Sequence, residues 1–152
     1  MFSLRFLFVA IGLALAAAFV FDELKPGPVD PAAMTEARAI AEKTVVALGP
    51  TPAWSRVEIA RAEPYVYSFD LIYRAAPPGD EMGARADATR IVETCLKTLI
   101  AAGHRPATEG IAVMVAARQE GLAGATGEPL VRSFGIATYR YGDDRIEYRP
   151  AS

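Results

Sequence analysis

The segment from residue 86 to residue 103 is the clearest helix that the sequence predicts. Its apolar residues recur at helical spacing and form one broad stripe, made up of Ala88, Ile91, Val92, Cys95, Leu96, Leu99 and Ala102. Gly103 follows the last of them, as is typical of a helix end, and Pro106 prevents any continuation. Because a single stripe buries one side of a helix and leaves the other in water, this helix is predicted to cover a sheet.

Strand signals lie on both sides of this helix. Residues 65–73 alternate between a mixed side and an aromatic side, the latter formed by Tyr65, Tyr67, Phe69, Leu71 and Tyr73. Residues 111–117 are apolar on both sides, which predicts a strand at the centre of the sheet. Further strands are predicted over residues 57–62, 131–141 and 145–149.

These elements predict the fold class. A first helix is expected between Asp30-Pro31 and Gly49-Pro50, because the aspartate suits the cap and the proline suits the first helical position. The order helix, strand, strand then occurs twice along the chain, and a short terminal strand follows. We therefore expect an α+β domain over residues 30–149, with one antiparallel sheet, both helices on one face, and residues 150–152 as a tail. This αββαββ order is the connectivity of a circularly permuted ferredoxin-like domain, and the aromatic side of residues 65–73 is expected to face the helices.

An unbroken apolar run precedes this domain at residues 6–21. Its length lies between that of a signal-peptide core and that of a bilayer span, so two interpretations stay open for residues 1–23. One is an uncleaved transmembrane anchor, with the domain facing the periplasm from a bacterial-type inner membrane. The other is a signal peptide cleaved after Ala16 or Ala18, which leaves the domain periplasmic or secreted. Residues 24–29, rich in proline, are expected to be a spacer.

The ionisable residues disfavour several chemistries. A net charge of −2 argues against nucleic-acid binding, which needs a basic surface. The one cysteine, Cys95, lies within the apolar stripe and is predicted to be buried, and the one histidine, His104, is predicted to stabilise the helix end. With one of each and no ligand spacing, no metal site and no cofactor is predicted.

Two stretches near the C-terminus supply the candidate binding residues. A tyrosine- and arginine-rich strand contains residue types that are enriched at interface hot spots, namely Arg132, Tyr139, Arg140 and Tyr141. Before it, residues 118–129 are rich in glycine and predict an adaptable loop with Gln119 and Glu128 at its edges.

Three functional interpretations remain. The first is a non-enzymatic, membrane-tethered domain that binds another envelope protein or a copy of itself, since the element order is similar to that of periplasmic domains of accessory inner-membrane subunits in secretion and pilus machines. The second is a cleaved, soluble periplasmic protein that binds a small ligand or a cell-wall component. The third is a hydrolase of unknown type, for which the sequence signals no convergent set of catalytic groups.

Overall fold

The computed structural model describes residues 29–143 and 145–152. Its elements are α1 (Pro31–Ala47), β1 (Ser55–Glu63), β2 (Val66–Tyr73), α2 (Glu81–Ala101), α3 (Pro106–Glu109), β3 (Ala112–Ala123), β4 (Pro129–Arg140) and β5 (Ile146–Pro150). The α+β class is confirmed, and the order differs from the predicted one by the additional short helix α3. The predicted anchor or signal segment lies outside the described residues, and no helix within them is long and apolar enough to span a bilayer.

Helix α1 begins and ends where its local signals predict. The Asp30 carboxylate accepts a hydrogen bond from the Ala32 N–H at 3.0 Å, and Pro31 occupies the first turn. Its buried side includes Ile40 and Ala41, which are at most 2% exposed. A left-handed Gly49, with a φ of +73°, then turns the chain away from the helix.

Helix α2 begins at Glu81, earlier than the predicted start at residue 86. Gly83 lies in this first turn and weakens the helix signal there, because glycine has a low helix propensity. Its small size is needed for tertiary structure, since a Cβ at Gly83 would lie 2.1 Å from the Pro78 carbonyl oxygen. The buried Ala84 extends the predicted apolar stripe by one turn.

The sheet has five strands in the order β1-β2-β3-β4-β5. Three neighbouring pairs are antiparallel, but β2 and β3 are parallel. The predicted all-antiparallel, ferredoxin-like sheet is therefore wrong, and the sheet is mixed. The physical reason is the path of α2, which returns the chain from the C-terminal end of β2 to the edge of the sheet where β2 began. Strand β3 therefore starts beside Val66 and runs in the same direction as β2.

Both long helices pack on one face of this sheet. Helix α1 contacts β1 and α2, whereas α2 contacts β3, β4 and β5. The predicted aromatic side of β2 faces them, and its four members are at most 3% exposed: Tyr67, Phe69, Leu71 and Tyr73. Tyr65 departs from this pattern, because it belongs to the β1–β2 turn, has a φ of +70° and is 58% exposed.

The opposite side of the sheet, here called the open face, has no helix over it in the described part of the chain. Strand β3 is central as predicted, but only one of its two apolar sides is buried, since Val115 is fully buried and Met114 is 42% exposed. An ion pair joins β1 to β3 across the open face, with Arg56 3.1 Å from Glu120, and Arg56 also lies 2.7 Å from Glu58 on its own strand.

Arg118 continues this network, at 3.0 Å from Glu120 and 2.9 Å from Asp70. Ile72 lies between Arg56 and Arg118 in the strand register and is fully buried. The aliphatic stems of the two arginines therefore cover an apolar residue while their charged ends stay paired in water.

The glycine-rich segment at residues 118–129 is not a long loop. Strand β3 continues to Ala123 and β4 begins at Pro129, so that only the residues between them form the turn. The pairing of β3 with β4 is irregular between Gln119 and Leu122, and Gly121 there has a φ of +79°. This glycine marks a bulge within a hairpin, which the sequence pattern does not distinguish from a loop.

Candidate functional site

The six predicted binding residues are spread over four places. Gln119 and Arg132 are neighbours in the β3–β4 register, and Gln119 is 7% exposed. The Arg132 guanidinium binds both carboxylate oxygens of Asp80, at 3.0 and 2.7 Å, and lies 4.7 Å from the centre of the Phe134 ring. Arg132 thus fastens the loop before α2 to strand β4.

The other four predicted residues lie apart from this pair. Tyr139 is in the core at 5% exposure, whereas Arg140 and Tyr141 are exposed at the far end of β4. Glu128 lies in the β3–β4 turn, where it accepts hydrogen bonds from the backbone N–H and the hydroxyl of Thr126. These bonds lower the pKa of Glu128 and give it a local role in shaping the turn.

His104 lines a small pocket of about 160 Å³, together with Glu36, Tyr65, Tyr67 and Glu109. Its Nδ1 lies 2.8 Å from Oε2 of Glu109. Its Nε2 lies 3.4 Å from Oε1 of Glu36, which is close enough for an ion pair but lacks the geometry of a hydrogen bond. Two carboxylates thus flank one imidazole.

The two glutamates raise the pKa of His104, mainly through the hydrogen bond to Glu109, while the partial burial of the ring opposes them. Burial raises the pKa of Tyr67 to about 12, so its phenol stays protonated in the same pocket. The sequence analysis assigned His104 only to the helix end, because Glu36 is on another helix. The local signal of the His104–Glu109 pair was their separation by five residues, with Pro106 between them.

This arrangement predicts a pH-dependent contribution of His104 to stability. Because the pKa is raised in the folded state, the contribution is complete below the ordinary histidine pKa of about 6.5 and is lost as the pH rises through the folded-state value. We expect His104→Gln to lose more stability relative to wild type at pH 5.5 than at pH 9, in paired urea titrations. In a Glu36→Gln background, the difference between the losses at pH 5.5 and at pH 9 should be smaller, because one of the two carboxylates that favour the charged imidazole is absent. An equal loss at both pH values would contradict a charged His104.

Cys95 is not available for chemistry. It is fully buried, as predicted, and burial raises the pKa of its thiol to about 12. The thiol therefore stays protonated at neutral pH and is a poor nucleophile. Within residues 29–143 and 145–152, no group of three or more histidine, cysteine, aspartate or glutamate side chains is arranged to hold a metal ion.

A larger cleft of about 540 Å³ lies between the end of α1, the loop that follows it, and the first half of α2. The Trp54 ring lines this cleft and stacks on Tyr73, with ring centres 5.8 Å apart and planes at 21°. Asp87 and Arg90 line it from α2. The Tyr73 hydroxyl donates to Oδ2 of Asp87 at 2.8 Å, and burial together with this bond raises the pKa of Tyr73, so the phenol stays a donor.

Sequence reasoning did not assign the cleft residues to a site. Trp54 is the only tryptophan of the chain, and Asp87 and Arg90 are spaced three residues apart, which places them on one side of a helix. These signals are weak, because such spacing is common on exposed helix faces. The convergence of α1, β1 and α2 on one cleft follows from the tertiary structure alone.

The fold and these sites define a two-layer α+β domain with the Trp54 cleft and the His104 pocket on its helical side and an open sheet face. No protein-family model, curated protein or solved structure matches the chain. Functional reasoning therefore starts from the residues of the molecule itself.

Proposed function

We propose that this chain is a non-enzymatic, extracytoplasmic domain, tethered to the membrane by its N-terminal apolar segment, that binds another protein of the envelope. The observation that carries the proposal is the open face of the sheet. Within the described residues, the helices pack on one side of the sheet, so a partner is able to reach the other side across several strands.

The composition of the open face supports a protein partner. Met114 and Ile136 are 42% and 38% exposed on the neighbouring strands β3 and β4, and Ala116 lies between them in the register. The charged Arg56–Glu120 pair and the exposed Arg140 surround this apolar centre. An apolar centre with a charged rim, rich in methionine and arginine, is typical of protein interfaces.

The tether is supported by the sequence. The apolar run at residues 6–21 is separated from the start of α1 at Pro31 by residues 22–30 alone. A domain held this close to a bilayer meets membrane-bound partners at high effective concentration, so a modest contact area suffices.

The test is co-purification from the envelope of the native host. The chain carries a C-terminal tag, and cells are lightly crosslinked before detergent extraction and mass spectrometry. We expect a near-stoichiometric membrane protein with wild type, and at least about tenfold less of it when Met114→Glu and Ile136→Glu are combined, because the two charges would be buried at the interface.

Ile100→Glu is the matched control, since Ile100 is 61% exposed on α2, and it should retain the partner. Circular dichroism checks that all variants fold. A partner that survives the double substitution would contradict the open face as its binding site. Recovery of the chain alone, in the soluble fraction and starting at residue 17 or 19, would refute the tether.

A second candidate function is favoured by a separate observation. The 540 Å³ cleft beside Trp54 has the size and the mixed lining of a small-molecule site. It supports the alternative of a cleaved periplasmic protein that binds a small ligand.

A further inference from the structure

We infer that the Trp54 cleft binds a small organic acid whose ring also carries a hydroxyl group. The cleft lies on the helical side of the sheet, whereas the proposed protein contact lies on the open face. The inference therefore goes beyond the proposed function, and each of the two is able to fail alone.

The apolar part of the cleft lining comes from α1 with the loop after it, from α2 and from the sheet. The end of α1 and the loop after it contribute Leu48, Pro50 and Pro52, and Ile91 faces them from α2. Val57 and Leu71 of the sheet also contribute to the lining. The volume of about 540 Å³ falls within the range of about 300–1,000 Å³ that is usual for small-molecule sites.

Three polar groups in the lining have unused hydrogen-bonding capacity. The guanidinium of Arg90 has no acceptor among the described side chains, since every ion pair there involves other residues. Asp87 uses Oδ2 to accept from Tyr73, which leaves Oδ1 open. The indole N–H of Trp54 has no acceptor within the same residues, although its ring is held against Tyr73.

These groups select the ligand by charge. A guanidinium binds a carboxylate through two parallel hydrogen bonds, so Arg90 favours a ligand that carries a carboxylate. Asp87 is three residues before Arg90 on the same helix, so their Cβ atoms are about 5–6 Å apart. Asp87 repels any anion at this range. A carboxylate carries half the charge of a phosphate dianion, so its repulsion by Asp87 is about half as strong.

The same groups select a hydroxyl and a ring. Oδ1 of Asp87 accepts from a hydroxyl of a ligand whose acid group is held by Arg90, and the indole N–H of Trp54 donates to a further ligand oxygen. The tryptophan ring and the two prolines offer flat apolar contact to a ring. Sugar acids and aromatic hydroxy acids share this chemistry, and the experiment distinguishes them.

The chain contains its own reporter, because Trp54 is its only tryptophan. The full chain, purified in detergent, is titrated with D-glucuronate and with 4-hydroxybenzoate, and Trp54 emission is followed. Calorimetry provides a second readout that does not depend on ligand absorbance. We expect one of the two acids to bind saturably, and methyl glucoside and inorganic phosphate to bind at least about tenfold more weakly.

Arg90→Gln should weaken binding of that acid by about tenfold or more, since it removes the charged donor. Lys97→Gln is the matched control, because Lys97 is an exposed cation on the same helix outside the cleft, and it should bind as wild type does. Arg90 is itself exposed, and urea titration checks that its replacement leaves the fold intact.

Absence of saturable binding by both acids would overturn the inference, as would equal affinity for methyl glucoside or an unaffected Arg90→Gln variant. The double substitution Met114→Glu and Ile136→Glu should bind the acid normally, because these residues lie on the open face. Loss of the envelope partner together with normal acid binding therefore separates the two proposals.

Discussion

Replacing Phe69 by alanine is expected to lower the free energy of unfolding by about 3–5 kcal/mol. Phe69 lies in β2, is 1% exposed and belongs to the hydrophobic core cluster beneath both long helices. Truncation leaves a cavity that the neighbouring strands β1 and β3 are unable to close, because both are hydrogen-bonded to β2. A loss of this size is a large part of the roughly 5–15 kcal/mol typical of a domain.

Urea titration followed by circular dichroism measures this loss. Ile100→Ala serves as the control, because Ile100 is 61% exposed on α2 and its truncation should change stability by about 0.5 kcal/mol or less. A Phe69→Ala loss no larger than that of the control would show that the aromatic side of β2 does not form the core.

Replacing Gly135 by alanine is expected to lower the free energy of unfolding by about 2 kcal/mol or more, because it strains the junction of β4 and β5. Gly135 has a φ of +147°, which L-residues rarely adopt, and an added Cβ would lie 2.4 Å from the Arg149 carbonyl oxygen and 2.8 Å from the Tyr148 hydroxyl. The Tyr148 hydroxyl is buried without a hydrogen-bond partner among the described residues, so it is able to move without losing a bond, and the contact with the Arg149 backbone carbonyl accounts for most of the expected loss.

Gly49→Ala isolates the contribution of the backbone angle. Gly49 has a φ of +73°, but a Cβ there would meet nothing within 4 Å, so only the angular strain of about 1–2 kcal/mol is expected. Hydrogen exchange should additionally show faster exchange of the β5 amides in the Gly135→Ala variant. Equal losses in the two variants, with unchanged β5 exchange, would contradict the steric role of Gly135.

The elements that the sequence predicted well are those with local causes. Helix α1 runs between Asp30-Pro31 and Gly49 because the cap, the first-turn proline and the terminal glycine act within a few residues of each other. The period-two aromatic alternation of β2 predicted which side of that strand is buried, and four of its five aromatic-side residues are in the core.

The predictions that failed depend on distant partners. The direction of β3 relative to β2 is decided by the path of α2, and the same hydrophobic alternation suits a parallel or an antiparallel neighbour. Likewise, the sequence predicts that Gly121 lies in a loop, because the pairing of β4 with β3 on both sides of Gly121 is a tertiary contact. The binding role of Tyr139 stays a prediction, and its burial in the core at 5% exposure follows from the register of β4 rather than from its residue type.

The functional sites show the same division. The sequence by itself determined the α+β class, the limits of α1, the buried side of β2 and the burial of Cys95, because each follows from spacing along the chain. Only the tertiary structure decided that His104 lies between Glu36 and Glu109, and that Trp54, Asp87 and Arg90 line one cleft. These residues belong to separate elements, and their distances are set by how helices and sheet pack, which no local pattern encodes.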